Sequence, residues 1–236
     1  MGTIMTISIN LLGMEEPSKF NAQNTKFAFD FHGVVVTNQF TCYSDLRKAL
    51  NWNIIPSCNQ QLPWFLCAVL TQTYRGLTGE GFRNLCAEYE QHDLVTGIMD
   101  FTNNVNLLEG TILIMQELKE KGYELDLASN IDIFFLQDLE SNHKYHHIKN
   151  ILELFTNKKV IDCSNINEQK PIRKPDIRYF EEYQEEHNQN GKNIIFIDDN
   201  HNNIVASEQA GMTGIHFQNP QQLRDELVKL NILQDK

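Results

Sequence analysis

Phe27-Ala-Phe-Asp-Phe-His-Gly-Val-Val-Val36 decides how this chain reads. An apolar run ends at Asp30, a turn-forming His32-Gly33 pair follows, and a second apolar run begins at Val34. An uninterrupted apolar run suits a strand buried on both faces of a parallel sheet. Asp30 then stands at the carboxyl end of that strand, where open α/β sheets place their ligands. A carboxylate at such a mouth is a nucleophile, a metal ligand, or both.

Further strands are predicted at residues 123–128, 159–163, 193–197 and 214–217, with helical patterns between them. Residues 109–121 place Ile112, Met115 and Leu118 on one face and stop at Gly122, a favourable C-terminal signal. Pro175 and Asp176 are expected to open a helix that carries Ile177, Phe180 and Tyr183 inward. Residues 203–210 read as a short helix ended by Gly211. Asn219 and Pro220 cap a last helix with Leu223, Leu227 and Leu230 on one face. Strands alternating with helices imply a parallel sheet with right-handed crossovers. The interval 37–105 breaks this rhythm and reads as helices, with a strongly apolar stretch at 62–70. The expected organisation is a polar leader over 1–26, an α/β core over 27–36 and 106–236, and a helical cap over 37–105. Because the cap leaves the core just after Asp30, it is expected to overhang the strand mouth.

Composition narrows the function. The chain has 236 residues, 41% of them hydrophobic and 22% charged, as in ordinary globular proteins. A formal net charge of -11 repels a polyanion overall, so no nucleic-acid partner is expected. Cys42, Cys58, Cys67, Cys86 and Cys163 are odd in number and lack CxxC spacing, which argues against a disulfide framework and for a reducing, cytoplasmic setting. No apolar run reaches the roughly 18–20 residues of a transmembrane helix, and residues 1–12 lack the basic start and cleavage site of a signal peptide. No membrane association is expected; oligomeric state stays open.

Four segments are predicted to end at the mouth of the sheet: Asp30 to Val34; Ser129-Asn130 after a strand; Arg173-Lys174-Pro175-Asp176 before a helix; and Asp198-Asp199-Asn200 with Asn203 beyond. Taken singly, a strand-end serine is usually a turn residue and an Asp-Asp-Asn run a helix cap. Together they put three carboxylates near one point, where mutual repulsion in a partly dry cleft is strong. A divalent cation relieves it, and hard oxygen ligands suit Mg2+. Lys174, Ser129 and backbone amides would complete a cradle for a phosphoryl group.

On these residues the sequence resembles the haloacid dehalogenase-like hydrolase superfamily, in its branch with a helical cap after the first motif (subfamily IA-like). The segment FIDDNHNNIVASEQAGMTGIHF is the most specific part of the likeness, being similar to that branch's Asp-Asp-x-x-x-Asn signature. The resemblance implies a three-layer Rossmann-like core with strand order 5-4-1-2-3, and hydrolysis of a small phosphorylated metabolite through an aspartyl-phosphate on Asp30. It implies Mg2+ held by Asp30, the backbone carbonyl of His32 and Asp199, with Asp198 and Asn203 in support. Gly33, Ser129, Asn130 and Lys174 would bind phosphate, and Asp30, His32, Ser129 and Lys174 would act in catalysis.

His32 departs from the pattern, because the family's phosphatases carry aspartate there as acid and base. Imidazole can serve both steps in principle. Three readings stay open: a phosphatase with His32 as substitute, a weakened or inactive ligand-binding protein on the same fold, and a carbon-halogen hydrolase. The retained carboxylate set argues against the last. Among other candidates, His143, His146 and His147 lack an acidic or thiol partner at ligand spacing and read as a solvated face. His201 lies next to the motif loop. Arg75 and Arg83 are cap cations able to meet an anionic substrate.

Overall fold

The computed structural model describes residues 19–38, 105–141, 143–161 and 172–235. The expected cap falls outside these residues except at its two ends, as do Arg75, Arg83 and residues 1–18 of the expected leader.

The described chain runs β1 (Thr25–Phe29), β2 (Val36–Asn38), β3 (Val105–Leu107), α1 (Glu109–Glu120), β4 (Glu124–Asp132), α2 (Ile133–Ser141), α3 (His146–Leu152), β5 (Asn157–Ile161), α4 (Ile177–His187), β6 (Asn193–Asp198), α5 (His201–Gln209), β7 (Thr213–His216) and α6 (Pro220–Lys229). Five parallel strands form one sheet in the order β5-β4-β1-β6-β7. Counted along the parallel strands alone, this is the expected 5-4-1-2-3. β2 and β3 form a separate antiparallel ribbon, so the chain leaves and re-enters the core side by side, Val36 opposite Leu107.

Alternation along the strands sorts side chains into two layers. Phe27, Phe29, Leu125, Leu127, Ile195 and Ile197 face a large apolar core with Ile112, Met115 and Leu118 of α1 and Leu223 and Leu227 of α6. Each such buried side chain contributes roughly 1.5–3 kcal/mol. Ala28, Ala128, Ile194 and Phe196 face the other side, against Tyr179, Phe180 and Tyr183 of α4 and Ile204 of α5. Helices thus cover both faces of the sheet.

The second face hides a polar plug. Lys26 pairs with Asp126, both almost fully buried. Lys26 Nζ also donates to His187 O at 2.7 Å, at the end of α4. Asp126 accepts from Tyr183 Oη at 2.7 Å and from the backbone and side chain of Asn157 at 3.1 and 3.0 Å. The core therefore begins before residue 27: Thr25 and Lys26 are strand residues, and Phe20 is buried in the main cluster.

Element ends differ from expectation where capping decides them. Asn200 accepts from Asn202 N at 3.0 Å, so α5 begins at His201 rather than at Asn203. Asp176 accepts from Arg178 N and is the cap of α4, leaving Pro175 outside the helix. Strand β4 runs past Ala128 to Asp132 through a break in its register with β5. Asn219 caps α6 with Pro220 at its start, as expected. No helix among the described residues is long and apolar enough to cross a membrane.

Candidate active site

The chain passes from β1 to β4 and β5 on one side of the sheet, then to β6 and β7 on the other. The crevice where that order reverses lies at the carboxyl ends of β1 and β6, the position where such sheets bind ligands. Asp30 and Asp198 emerge there.

Asp30 continues the sheet for one residue, its N–H donating to Ile197 O at 2.9 Å. Its Oδ1 accepts from Phe31 N at 2.7 Å and Ser129 Oγ at 2.7 Å, and lies 2.9 Å from Lys174 Nζ. The following residues close into a tight loop, with Val35 N and Val36 N both donating to Phe31 O. Gly33 turns this loop at φ 83°, and a Cβ there would collide with the Asp199 carboxylate. Glycine takes this φ without strain and leaves room for that carboxylate.

Ser129 and Asn130 lie in the irregular stretch of β4. Asn130 clamps the backbone of Lys174: its Oδ1 accepts from Lys174 N at 2.9 Å and its Nδ2 donates to Lys174 O at 3.0 Å. The Lys174 ammonium, 3% exposed, donates to Ala128 O at 2.8 Å and Asp198 Oδ2 at 2.6 Å. Burial works against its charge, but Asp30 and Asp198 outweigh burial and hold its pKa above the ordinary lysine value.

The two adjacent aspartates differ in environment. Asp198 is fully buried, its carboxylate bound by Lys174, by Asn200 N at 2.8 Å and by Asn203 Nδ2 at 2.9 Å to both oxygens. Asp199 is exposed, its carboxylate lying against Gly33 at the mouth of the site. Partial loss of water, then repulsion from Asp30 and Asp198, pushes its carboxyl up to about 6. Asp30, Asp198 and Asp199 each offer an oxygen within 4.8 Å of the others, the sole such cluster of three or more metal-ligating side chains among the described residues. Three carboxylates against one ammonium leave an anionic site made of hard oxygen donors, which fits a divalent cation. Asn203 Oδ1 adds a buried acceptor with no hydrogen-bond partner among the described residues, suited to a water bound to such a cation.

The fold therefore brings Asp30, Ser129, Asn130, Lys174, Asp198, Asp199 and Asn203 together, with His32 and Gly33 in the loop after Asp30. His32 is half-buried, pairs with Val36 in a single bridge, and sets its ring edge-on to Phe31 at 5.3 Å. Loss of water pushes its imidazole down to about 4. The His143, His146 and His147 group stays on the surface, with His146 Nδ1 turned to His143 O at 3.3 Å. Two side chains at the site were not singled out for it from sequence. Tyr179 Oη donates to Lys159 O at 2.9 Å and Ser129 O at 3.3 Å, behind the serine. His216 Nε2 lies 3.0 Å from Asp199 O. The cross-sheet register that places His216 level with Asp198 was the missing signal.

Known proteins share this arrangement of chain. A HAD family enzyme of Bacteroides thetaiotaomicron, solved with magnesium and inorganic phosphate, superposes with a TM-score of 0.55 at 18% identity, over 83% of this chain and 95% of that one. A predicted HAD-like family hydrolase of Porphyromonas gingivalis gives a TM-score of 0.61 at 17% identity, over 90% of this chain and all of the other, at 100%. No curated protein matches the chain. The family model described as haloacid dehalogenase-like hydrolase matches residues 28–217, from β1 to the end of β7 and so across every segment of the site. With that span matched, the chain belongs to the haloacid dehalogenase-like hydrolases.

Proposed function

We propose that the protein is a Mg2+-dependent phosphatase of a small phosphorylated metabolite, working in the reducing setting its cysteine pattern suggests. The observation that carries this reading is the convergence of Ser129 Oγ and Lys174 Nζ on Asp30 Oδ1, beside the carboxylate of Asp199. In the first step Asp30 attacks phosphorus, an O–P bond forms and the ester P–O bond breaks, and the departing alkoxide takes a proton from His32 or from solvent. Water then attacks the aspartyl-phosphate, gives its proton to His32 or to solvent, and frees phosphate and Asp30. Asp30, Asp199 and the carbonyl of His32 are the assigned metal ligands, with Asp198 and Asn203 behind them. When bound, the metal supplies positive charge to the phosphoryl oxygens. Ser129, the amides of Gly33 and Asn130, and Lys174 orient and neutralise those oxygens. Substrate choice is assigned to the inserted segment, residues 37–105, which leaves the core within a few residues of Asp30.

The relative from Bacteroides thetaiotaomicron, described with magnesium and inorganic phosphate, supports the metal and substrate class. His32, standing where the family's phosphatases carry aspartate, supports a second reading: a weakened member that binds a phosphorylated ligand. One assay separates them. With Mg2+ and an activated aryl phosphate, the phosphatase turns over, Asp30→Asn abolishes turnover, and His32→Asp alters the pH profile. No turnover between about pH 5 and 9, with Mg2+ and a phosphate mimic still bound, favours the binding protein. Halide release that survives metal chelation would instead indicate carbon-halogen hydrolysis.

A further inference from the structure

His216 is the last residue of β7, and its Cα is paired with that of Asp198 across the β6–β7 ladder. Directly paired residues put their side chains on the same face of a sheet. The imidazole therefore emerges on the face that carries Asp198 and α5. Its Nε2 is 3.0 Å from the backbone carbonyl oxygen of Asp199. A carbonyl only accepts, so Nε2 carries the proton and donates. The ring also packs on His201, the first residue of α5, with centroids 5.5 Å apart at an interplanar angle of 58°. The edge strand thus braces the turn at Asp199 through a ring that also rests on the first residue of α5.

This brace matters because of how differently the two aspartates are held. Asp198 is bound by Lys174 and Asn203. The Asp199 carboxylate is held by no side chain among the described residues. Its direction is set by its backbone and by the closeness of Gly33. A hydrogen bond to the Asp199 carbonyl fixes the peptide plane from which the next residues depart. We infer that His216 is a positioning residue for Asp199 and thereby a determinant of divalent-metal affinity. The inference rests on the proposal that Asp199 is a metal ligand. Groups that orient a ligand from behind typically change metal affinity by about 10- to 100-fold. An exposed hydrogen bond belongs at the low end.

The test is Mg2+ binding to the full chain by calorimetry and Mn2+ binding by electron paramagnetic resonance, neither of which needs turnover. His216→Phe keeps a ring over His201 but loses the donor, and is expected to weaken both ions about 10-fold. His216→Asn, too short to reach the carbonyl, is expected to do the same. His216→Gln returns an amide donor at similar reach, and binding is expected to recover to within about threefold of the wild type. The inference is overturned if His216→Phe and His216→Asn bind as the wild type does, or if His216→Gln is no better than they are. Asp199→Asn separates the two levels of the argument. If the wild type binds neither ion, or Asp199→Asn binds as well as the wild type, the metal reading fails and the inference with it. If Asp199→Asn loses binding while His216→Phe and His216→Asn both keep it, the inference alone fails.

Discussion

Lys174 Nζ and Asp30 Oδ1 lie 2.9 Å apart, although they come from distant parts of the chain. The same ammonium is 2.6 Å from Asp198 Oδ2. One buried cation thus ties the loop after β1 to the end of β6. Its side chain arrives at the right depth because Asn130 grips its backbone on both sides of the Cα.

Removing that cation leaves two buried carboxylates without a balancing positive charge. Lys174→Met is expected to cost about 3–5 kcal/mol of stability, the range for breaking a buried ion pair from one side. Hydrolysis of an aryl phosphate is expected to disappear as well. Urea unfolding of the metal-free protein measures the first effect, and a wild-type midpoint would contradict it.

Gly33→Ala puts a methyl group into the space taken by the Asp199 carboxylate, at a φ of 83° that L residues rarely adopt. The backbone conformation alone costs about 1–2 kcal/mol. The carboxylate can swing aside, so stability is expected to fall only by about that amount while Mg2+ affinity falls much further. Calorimetric titration beside thermal unfolding separates the two.

Lys26→Met acts on the plug at the opposite end of β1 from Asp30. It strands Asp126, which is 0% exposed, and is expected to lower stability by about 3–5 kcal/mol. Because the plug is remote from Asp30, kcat measured below the unfolding temperature is expected to stay as in the wild type. The double variant Lys26→Met, Asp126→Leu removes both charges and is expected to regain most of the loss, as apolar replacements of buried pairs often do. A double variant no more stable than the single one would show that Tyr183 and Asn157 depend on Asp126 for their own placement.

Alkaline titration reads the same plug. Burial, then the neighbouring Asp126 carboxylate, holds the Tyr183 phenol well above its ordinary value. The folded state favours the neutral phenol, so its contribution is intact below about pH 10 and is lost as pH rises through the folded value. Above pH 10 stability is expected to decline by up to about 1.4 kcal/mol per pH unit for this group. Tyr183→Phe removes that share of the slope. Phenolate absorbance during the titration follows it, and ionisation of this tyrosine near pH 10 in the folded protein would contradict the assignment.

Much of the site was legible because its residues sit in local patterns. Asp30 after an apolar run, Ser129-Asn130 after a strand, Lys174 before Pro175 and the Asp198-Asp199 pair are each visible within about ten residues. Alternation of strand and helix then places them at one edge of a parallel sheet. Helix starts were less legible, because Asn200 and Asp176 prove to be caps only when their side chains are seen turned to Asn202 N and Arg178 N. The pair Lys26 and Asp126 could not be read. Each stands in a strand that looks apolar or mixed on its own, and only the parallel pairing of β1 with β4 brings them together.

Periodicity and turn chemistry are properties of neighbours in the chain, so the amino-acid order alone determined the α/β class, the succession of strands and the candidates for the site. Distances between strands are a property of packing. Tertiary structure decided that Asp30 meets Ser129, that Lys174 bridges two carboxylates, and that His216 reaches the carbonyl of Asp199. The physical reason is that each of these contacts joins elements remote in sequence, and their meeting depends on sheet order, register and the two helical layers that press upon it.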